Sequence, residues 1–150
     1  MKMIIKEKSF SWKYTQFNVI NENEELIFTT VGYNIFDSNK KEVVKIQQLA
    51  INEYRILIDN KKEVVVKANI GIFKPTKFNV SDPNWEIRSN LIATKFDITH
   101  NNETLGTITR KIISWSAYYE ADILDSVDKL LVLSITLAIH FHLRSYLDNS

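Results

Sequence analysis

The feature that most constrains this chain lies near its C-terminus. From Ser126 to about Tyr146 it reads Ser-Val-Asp-Lys-Leu-Leu-Val-Leu-Ser-Ile-Thr-Leu-Ala-Ile-His-Phe-His-Leu-Arg-Ser-Tyr. No other stretch is long enough and regular enough for an extended helix. Leu130, Leu131, Val132, Leu133, Ile135, Leu137, Ala138, Ile139 and Phe141 circle that helix, and only Ser134, Thr136 and His140 interrupt them. A helix without a wet side must be buried on every side. The unbroken apolar part, Leu130 to Phe141, falls short of the roughly 20 residues a membrane span requires, and Lys129 and Arg144 flank it. The stretch therefore reads as a core helix, about 30 Å long if it runs for some 20 residues, and transmembrane insertion is not expected.

Upstream, one pattern keeps returning: an aromatic or aliphatic strand end, a polar turn, then a β-branched strand. It starts at Phe17, at Tyr33 (Tyr-Asn-Ile-Phe-Asp-Ser-Asn-Lys-Lys-Glu-Val-Val), at Tyr54 (Tyr-Arg-Ile-Leu-Ile-Asp-Asn-Lys-Lys-Glu-Val-Val-Val), at Phe78 and at Phe96. Asn, Asp, Ser and Lys at the turn centres favour tight hairpins. Within Lys95 to Thr99, Phe96 and Ile98 alternate with Lys95, Asp97 and Thr99, the period of a half-buried strand. Pro75 and Pro83 stand between strands, where a missing amide donor does no harm. Lys2 to Glu7 reads as a first strand. Ile112 to Asp125 reads as a last one, with Tyr119, Ala121 and Ile123 on one side. Asp125 or Ser126 then caps the helix, with Asp128 in its first turn. No linker or second hydrophobic unit interrupts residues 1–150, so one domain is expected: a sheet closed around the helix.

Charge and composition narrow the function classes. The formal net charge is +1, so no global field recruits nucleic acid, and an anion site must be a local cluster. The chain has no cysteine, which excludes a disulfide framework and thiolate metal sites. The N-terminal Met-Lys-Met-Ile-Ile-Lys-Glu-Lys-Ser-Phe lacks the apolar core and cleavage site of a secretory leader. The expectation is a cytoplasmic protein that attaches to membranes peripherally if at all. The Asn-, Lys- and Ile-rich composition fits an AT-rich bacterial genome.

Hairpins in series ending in one apolar helix resemble the LURP-one-related family, within the tubby C-terminal and phospholipid-scramblase-like group. The resemblance covers nearly the whole chain. Its carriers are the hairpins at Tyr33–Asp37 and Arg55–Asp59, Trp85-Glu86-Ile87, Phe96 to Lys111, Ser116 to Ile123, and the helix. It implies an all-β fold with one helix, a closed antiparallel barrel of roughly twelve strands around a buried hydrophobic C-terminal helix. The family tends to have Gly at hairpin turns where Lys41, Lys62 and Asn102 stand here, and shortly after Trp-x-Ile, where Ser89 or Asn90 stands. Tubby-like relatives bind phosphoinositides and scramblase-like ones are linked to membranes. No binding residue of either maps onto this chain.

The residues themselves offer no catalytic constellation. His140 and His142 stand two apart on the helix and point to different sides, and His100 sits in a distant hairpin turn. They read as polar helix-end and turn histidines, and no metal site or cofactor is expected. There is no Gly-x-Ser-x-Gly elbow, and Gly32, Gly71 and Gly106 build neither a phosphate loop nor a dinucleotide fingerprint. Glu24-Glu25, and Glu120 with Asp122, read as solvated surface charge. Trp12, Trp85, Trp115 and the tyrosines do not interleave with a basic stripe, so they read as core or rim packing. The expectation is a non-enzyme without catalytic residues.

Two turns carry the one pattern that points to a ligand. Lys40-Lys41 and Lys61-Lys62 occupy equivalent positions in successive hairpins, which puts the four on one rim of a barrel. An anionic phospholipid or phosphoinositide-like headgroup gains from such a cluster, although Glu42 and Glu63 offset part of its field. Lys74, Lys77, Arg110 and Lys111 form a second candidate set at the other end. The helix fills the space a lipocalin-type barrel keeps for a ligand, so partners are expected outside: an anionic headgroup, or alternatively a protein that uses the barrel as a scaffold. Leu130, Leu133, Ile135, Leu137, Ile139 and Phe141 are the expected core of the helix.

Overall fold

Turn chemistry shapes the sheet. The computed structural model describes residues 1–8, 15–69, 76–113 and 116–148, with side chains to residue 111 in the third stretch and to residue 145 in the last. After β1 (Lys2–Glu7), the five anticipated hairpins all form. β2 (Gln16–Ile20) pairs with β3 (Leu26–Val31), and β4 (Asn34–Asp37) with β5 (Glu42–Ala50). β6 (Glu53–Ile58) pairs with β7 (Lys62–Asn69), β8 (Lys77–Val80) with β9 (Trp85–Ser89), and β10 (Lys95–His100) with β11 (Glu103–Ile113). Asn21 Oδ1 accepts the amides of Asn23 and Glu25, and Asp37 Oδ1 those of Asn39 and Lys41. Each side chain thereby fixes a tight turn. Glycine-like left-handed backbone falls on Glu24, Lys40, Asp59, Asn60, Ala93, Asn101 and Asn102. Of the three positions where the family favours Gly at a turn, only Asn102 adopts that conformation. In the other two hairpins the strained residue precedes the expected one: Lys40 instead of Lys41, Asp59 and Asn60 instead of Lys62. After Trp-x-Ile it is Ala93, later than Ser89 or Asn90.

Every strand pairs antiparallel with its chain neighbours, and β12 (Ser116–Ile123) closes the circle on β1, with Met3 opposite Ala121 and Ile5 opposite Tyr119. The result is a closed barrel of twelve strands. The last strand is shorter than the sequence suggests, because Ile112 and Ile113 extend β11. Strand connections alternate between two rims. All five polar hairpin turns share the rim where β12 ends and the helix begins, the entry rim. The other connections, among them Gly32-Tyr33, Ile51-Asn52 and Asn90 to Thr94, form the exit rim.

The helix α1 (Lys129–Asp148) threads the barrel between these rims. Its cap is Asp128, not Asp125 or Ser126: Asp128 Oδ1 accepts the amides of Leu130 at 3.0 Å and Leu131 at 3.3 Å. Every residue from Leu131 to His142 is buried, including Leu133, Ile135, Leu137, Ile139 and Phe141, while Leu130 at the mouth is half-buried. Total burial requires its hydroxyls to be satisfied. Ser134 Oγ donates to Leu130 O and Thr136 Oγ1 to Val132 O, both at 2.7 Å, so the helix backbone satisfies these two hydroxyls. Around it stand the inward residues of each strand, such as Ile5, Val19, Ile35, Ile56, Val66, Ile87, Ile98 and Ala121, all buried. Phe96 and Ile98 point inward as their alternation requires.

Candidate functional site

The four lysines singled out by sequence lie on the entry rim, Lys40-Lys41 in the β4–β5 turn and Lys61-Lys62 in the β6–β7 turn. All four are exposed, and none takes part in an ion pair among the described residues. The topology also brings Glu22, Glu24, Glu25, Asp37, Glu42, Asp59, Asp82, Glu103 and Asp125 to this rim. Met1 supplies a further cation: its ammonium lies 3.3 Å from Asp125 and 3.8 Å from Glu22. The rim is therefore mixed in charge, with carboxylates alternating with the lysines.

At the opposite end the second cation set behaves differently. Lys77 is held at 3.1 Å by Glu86, whose carboxyl lies below the usual range because Arg88 and Lys77 both bond it. Lys111 is exposed, Arg110 is half-buried, and Lys74 lies outside the described residues, as do Trp12 and Trp115. Trp85 is buried, as a packing role requires.

The helix histidines are not helix-end polar groups. They lie inside the barrel near the exit rim, both buried, and face different walls as their spacing dictates. His140 Nδ1 is 2.9 Å from the Tyr119 hydroxyl, and its ring meets Phe17 edge-on. Burial, with a smaller contribution from Arg144 and Arg110, pushes the His140 imidazole down from 6.5 to about 4. His142 packs edge-on to Tyr54 and Phe78, and burial lowers it too, partly offset by the Ile51 carbonyl. Burial raises the phenols of Tyr54 and Tyr119 to about 12. This is a neutral aromatic layer, and its two imidazoles do not converge on one point. His100, at the end of β10 beside its hairpin turn, meets Asn84 O at 3.0 Å. Among the described residues no three His, Asp or Glu side chains gather as metal ligands. Glu120 pairs with Lys2 at 3.4 Å and Asp122 is exposed, both on the outer wall.

Sequence reasoning overlooked the exit rim. Tyr33, Ile51, Leu91 and Ile92 project there as exposed large side chains, with Val31 and Leu49 beside them at strand ends. The available signal was apolar residues inside connections, where Gly, Asn, Asp and Ser are the norm.

Comparison with known proteins adds the following. The family model described as LURP-one-related matches residues 1–140. An uncharacterised Bacillus subtilis (strain 168) protein, YxjI, is 27% identical, the alignment covering 100% of this chain and 98% of that protein. No solved structure matches the chain.

Proposed function

The chain belongs to the LURP-one-related family, and on that premise we propose that it is a non-enzymatic binding module that meets its partner with the outside of its barrel. The observation that carries this reading is the filled lumen. Every residue of the helix from Leu131 to His142 is buried, so among the described residues the helix occupies the lumen that a ligand-carrying barrel keeps open. The buried titratable groups, His140, His142, Tyr54 and Tyr119, are all shifted toward their neutral forms and packed among aromatic rings, a poor arrangement for proton transfer near neutral pH. We place the module in the cytoplasm, in keeping with its cysteine-free composition.

The most concrete partner is an anionic lipid headgroup. Lys40, Lys41, Lys61 and Lys62 support that reading by sharing a rim, by their exposure and by their freedom from ion pairs among the described residues. The second reading, a protein-interaction scaffold without lipid affinity, draws on the carboxylates of the same rim, which weaken any attraction for anions. Co-sedimentation with neutral and anionic vesicles at low and high salt decides between them. Salt-sensitive binding to anionic vesicles supports the lipid reading, and its loss in a Lys40/Lys41/Lys61/Lys62→Ala variant assigns it to the entry rim. Binding to no vesicle leaves the scaffold.

A further inference from the structure

The two rims differ in kind. Entry-rim turns are polar, and the exposed aliphatics there, Leu26 and Leu124, stand beside Glu24, Glu25 and Asp125. Exit-rim connections put bulky apolar side chains at their tips: Ile51 is 81% exposed, Leu91 75% and Ile92 73%, with Tyr33 at 41%. Single exposed aliphatics are ordinary; several projecting from separate connections at one end of a barrel form a surface with a use. Tyr33 also packs on Phe141, ring centroids 4.2 Å apart, but the fold does not demand the aliphatics of the β9–β10 turn. Asn90 already closes its turn, with Oδ1 accepting the amides of Thr94 and Lys95, so Leu91 and Ile92 are free to vary.

The charges around these tips suit one class of occupant. Lys8, Lys95, Lys111 and Arg144 are exposed at or just below the exit rim, and none forms an ion pair among the described residues. Arg144 donates to Thr15 Oγ1 at 2.7 Å, which keeps its guanidinium at the rim. Among the described side chains, the carboxylates of this end are half-buried: Glu7 accepts the Ala117 amide at 2.7 Å, and Glu53 lies opposite Lys67 in the β6–β7 ladder. Aliphatic tips with a tyrosine, sharing one rim with cations that form no ion pair among the described residues, match the cross-section of an anionic bilayer surface, with acyl chains beneath phosphates. A protein partner of ordinary composition offers no such layering.

We infer that the exit rim docks on an anionic membrane surface, with Ile51, Leu91 and Ile92 entering the acyl boundary, Tyr33 at headgroup level and Lys8, Lys95, Lys111 and Arg144 against the phosphates. The inference rests on the exterior-binding reading above but assigns the contact to the rim opposite the four lysines. Each aliphatic chain fully transferred from water strengthens binding roughly tenfold, and each cation near an anionic surface roughly fivefold. The barrel then stands end-on, with its carboxylate-bearing rim facing away from the lipid.

Because the chain has no cysteine, single labels report orientation cleanly. Ile51→Cys, Leu91→Cys and, on the entry rim, Asn39→Cys are each tagged with an environment-sensitive fluorophore. They are titrated with phosphatidylcholine vesicles with and without phosphatidylglycerol. The expected result is a blue shift at positions 51 and 91 with anionic vesicles only, none at 39, and weakening by high salt. The Ile51→Ser/Leu91→Ser/Ile92→Ser variant should bind such vesicles at least about tenfold more weakly while unfolding like wild type. A shift at position 39 alone, or binding lost in the four-lysine variant and kept in the triple-serine variant, overturns the inference and leaves the entry-rim reading standing. Binding to no vesicle overturns both. A shift at 51 that grows with protein concentration without vesicles assigns the rim to a second copy of the chain and overturns the membrane as occupant.

Discussion

Replacing His140 with Phe should remove much of the protein's sensitivity to acid. In the folded barrel the imidazole is held near pKa 4 by burial, helped by Arg144 and Arg110, against 6.5 when unfolded. The unfolded chain therefore binds this proton more readily, and acid favours unfolding. The contribution is fully present above about pH 6.5 and is lost as pH falls toward 4. The linkage relation puts the loss at about 2 kcal/mol by pH 5 and about 3 kcal/mol by pH 4. That is a large part of the 5–15 kcal/mol total typical of a domain. Urea unfolding at pH 7, 5 and 4 should show wild type losing about 3 kcal/mol more than His140→Phe between the extremes. The variant leaves the Tyr119 hydroxyl without its 2.9 Å partner, a cost common to all three pH values that cancels in the difference. Carboxylates titrate alike in both proteins, and so does His142 on its separate wall. Equal acid losses in the two proteins, or a folded-state His140 resonance titrating near pH 6.5, would refute the reasoning.

Four further outcomes follow from the packing. Leu133→Asp puts an unpaired charge among residues that are fully buried and should abolish cooperative unfolding, whereas Leu133→Ala should cost about 3–4 kcal/mol by denaturation. Chain ending at Leu124 should aggregate, and a soluble, cooperatively folding truncation would show that the helix is not the core. Gly106→Ala places a methyl 2.6 Å from both Asp122 O and Ile123 Cγ2, and should lower stability by about 2 kcal/mol through displacement of β12. Asp128→Ala removes the side-chain acceptor of two helix amides and should cost about 1 kcal/mol, read as a lower thermal midpoint.

What the sequence disclosed and what it withheld divide along a physical line. The five hairpins were legible because Asn, Asp, Ser and Lys at a turn centre are a local signal that needs no distant partner, and Asn21 and Asp37 close their own turns. The helix was legible because nine of the residues from Leu130 to Phe141 are apolar on all sides. Exit-rim connections were not, since Leu49-Ala50-Ile51 continues the apolar pattern of the strand before it. The cap moved to Asp128 because an acidic residue suits either position, and only backbone geometry chooses between them. The repeat spacing of the lysines reflects successive hairpins whose turns lie on one rim. Of the carboxylates on that rim, Glu22, Glu24 and Glu25 come from the preceding hairpin and Asp125 from the end of β12, and only the barrel topology puts them at the same end. The histidines looked like polar end groups because nothing local reveals that the helix still lies within the wall at His142.

Closure through β1 and β12 has a consequence for the order of folding on the ribosome. The first strand leaves the tunnel early, yet its second partner consists of residues 116–123, and the helix that covers the inner face follows still later. Until then the growing meander is an open sheet with two unpaired edges and one apolar side uncovered, a state prone to association with other chains. A finished barrel offers the helix no lateral gap, so the last strand and the helix must arrive together, as a single closing event.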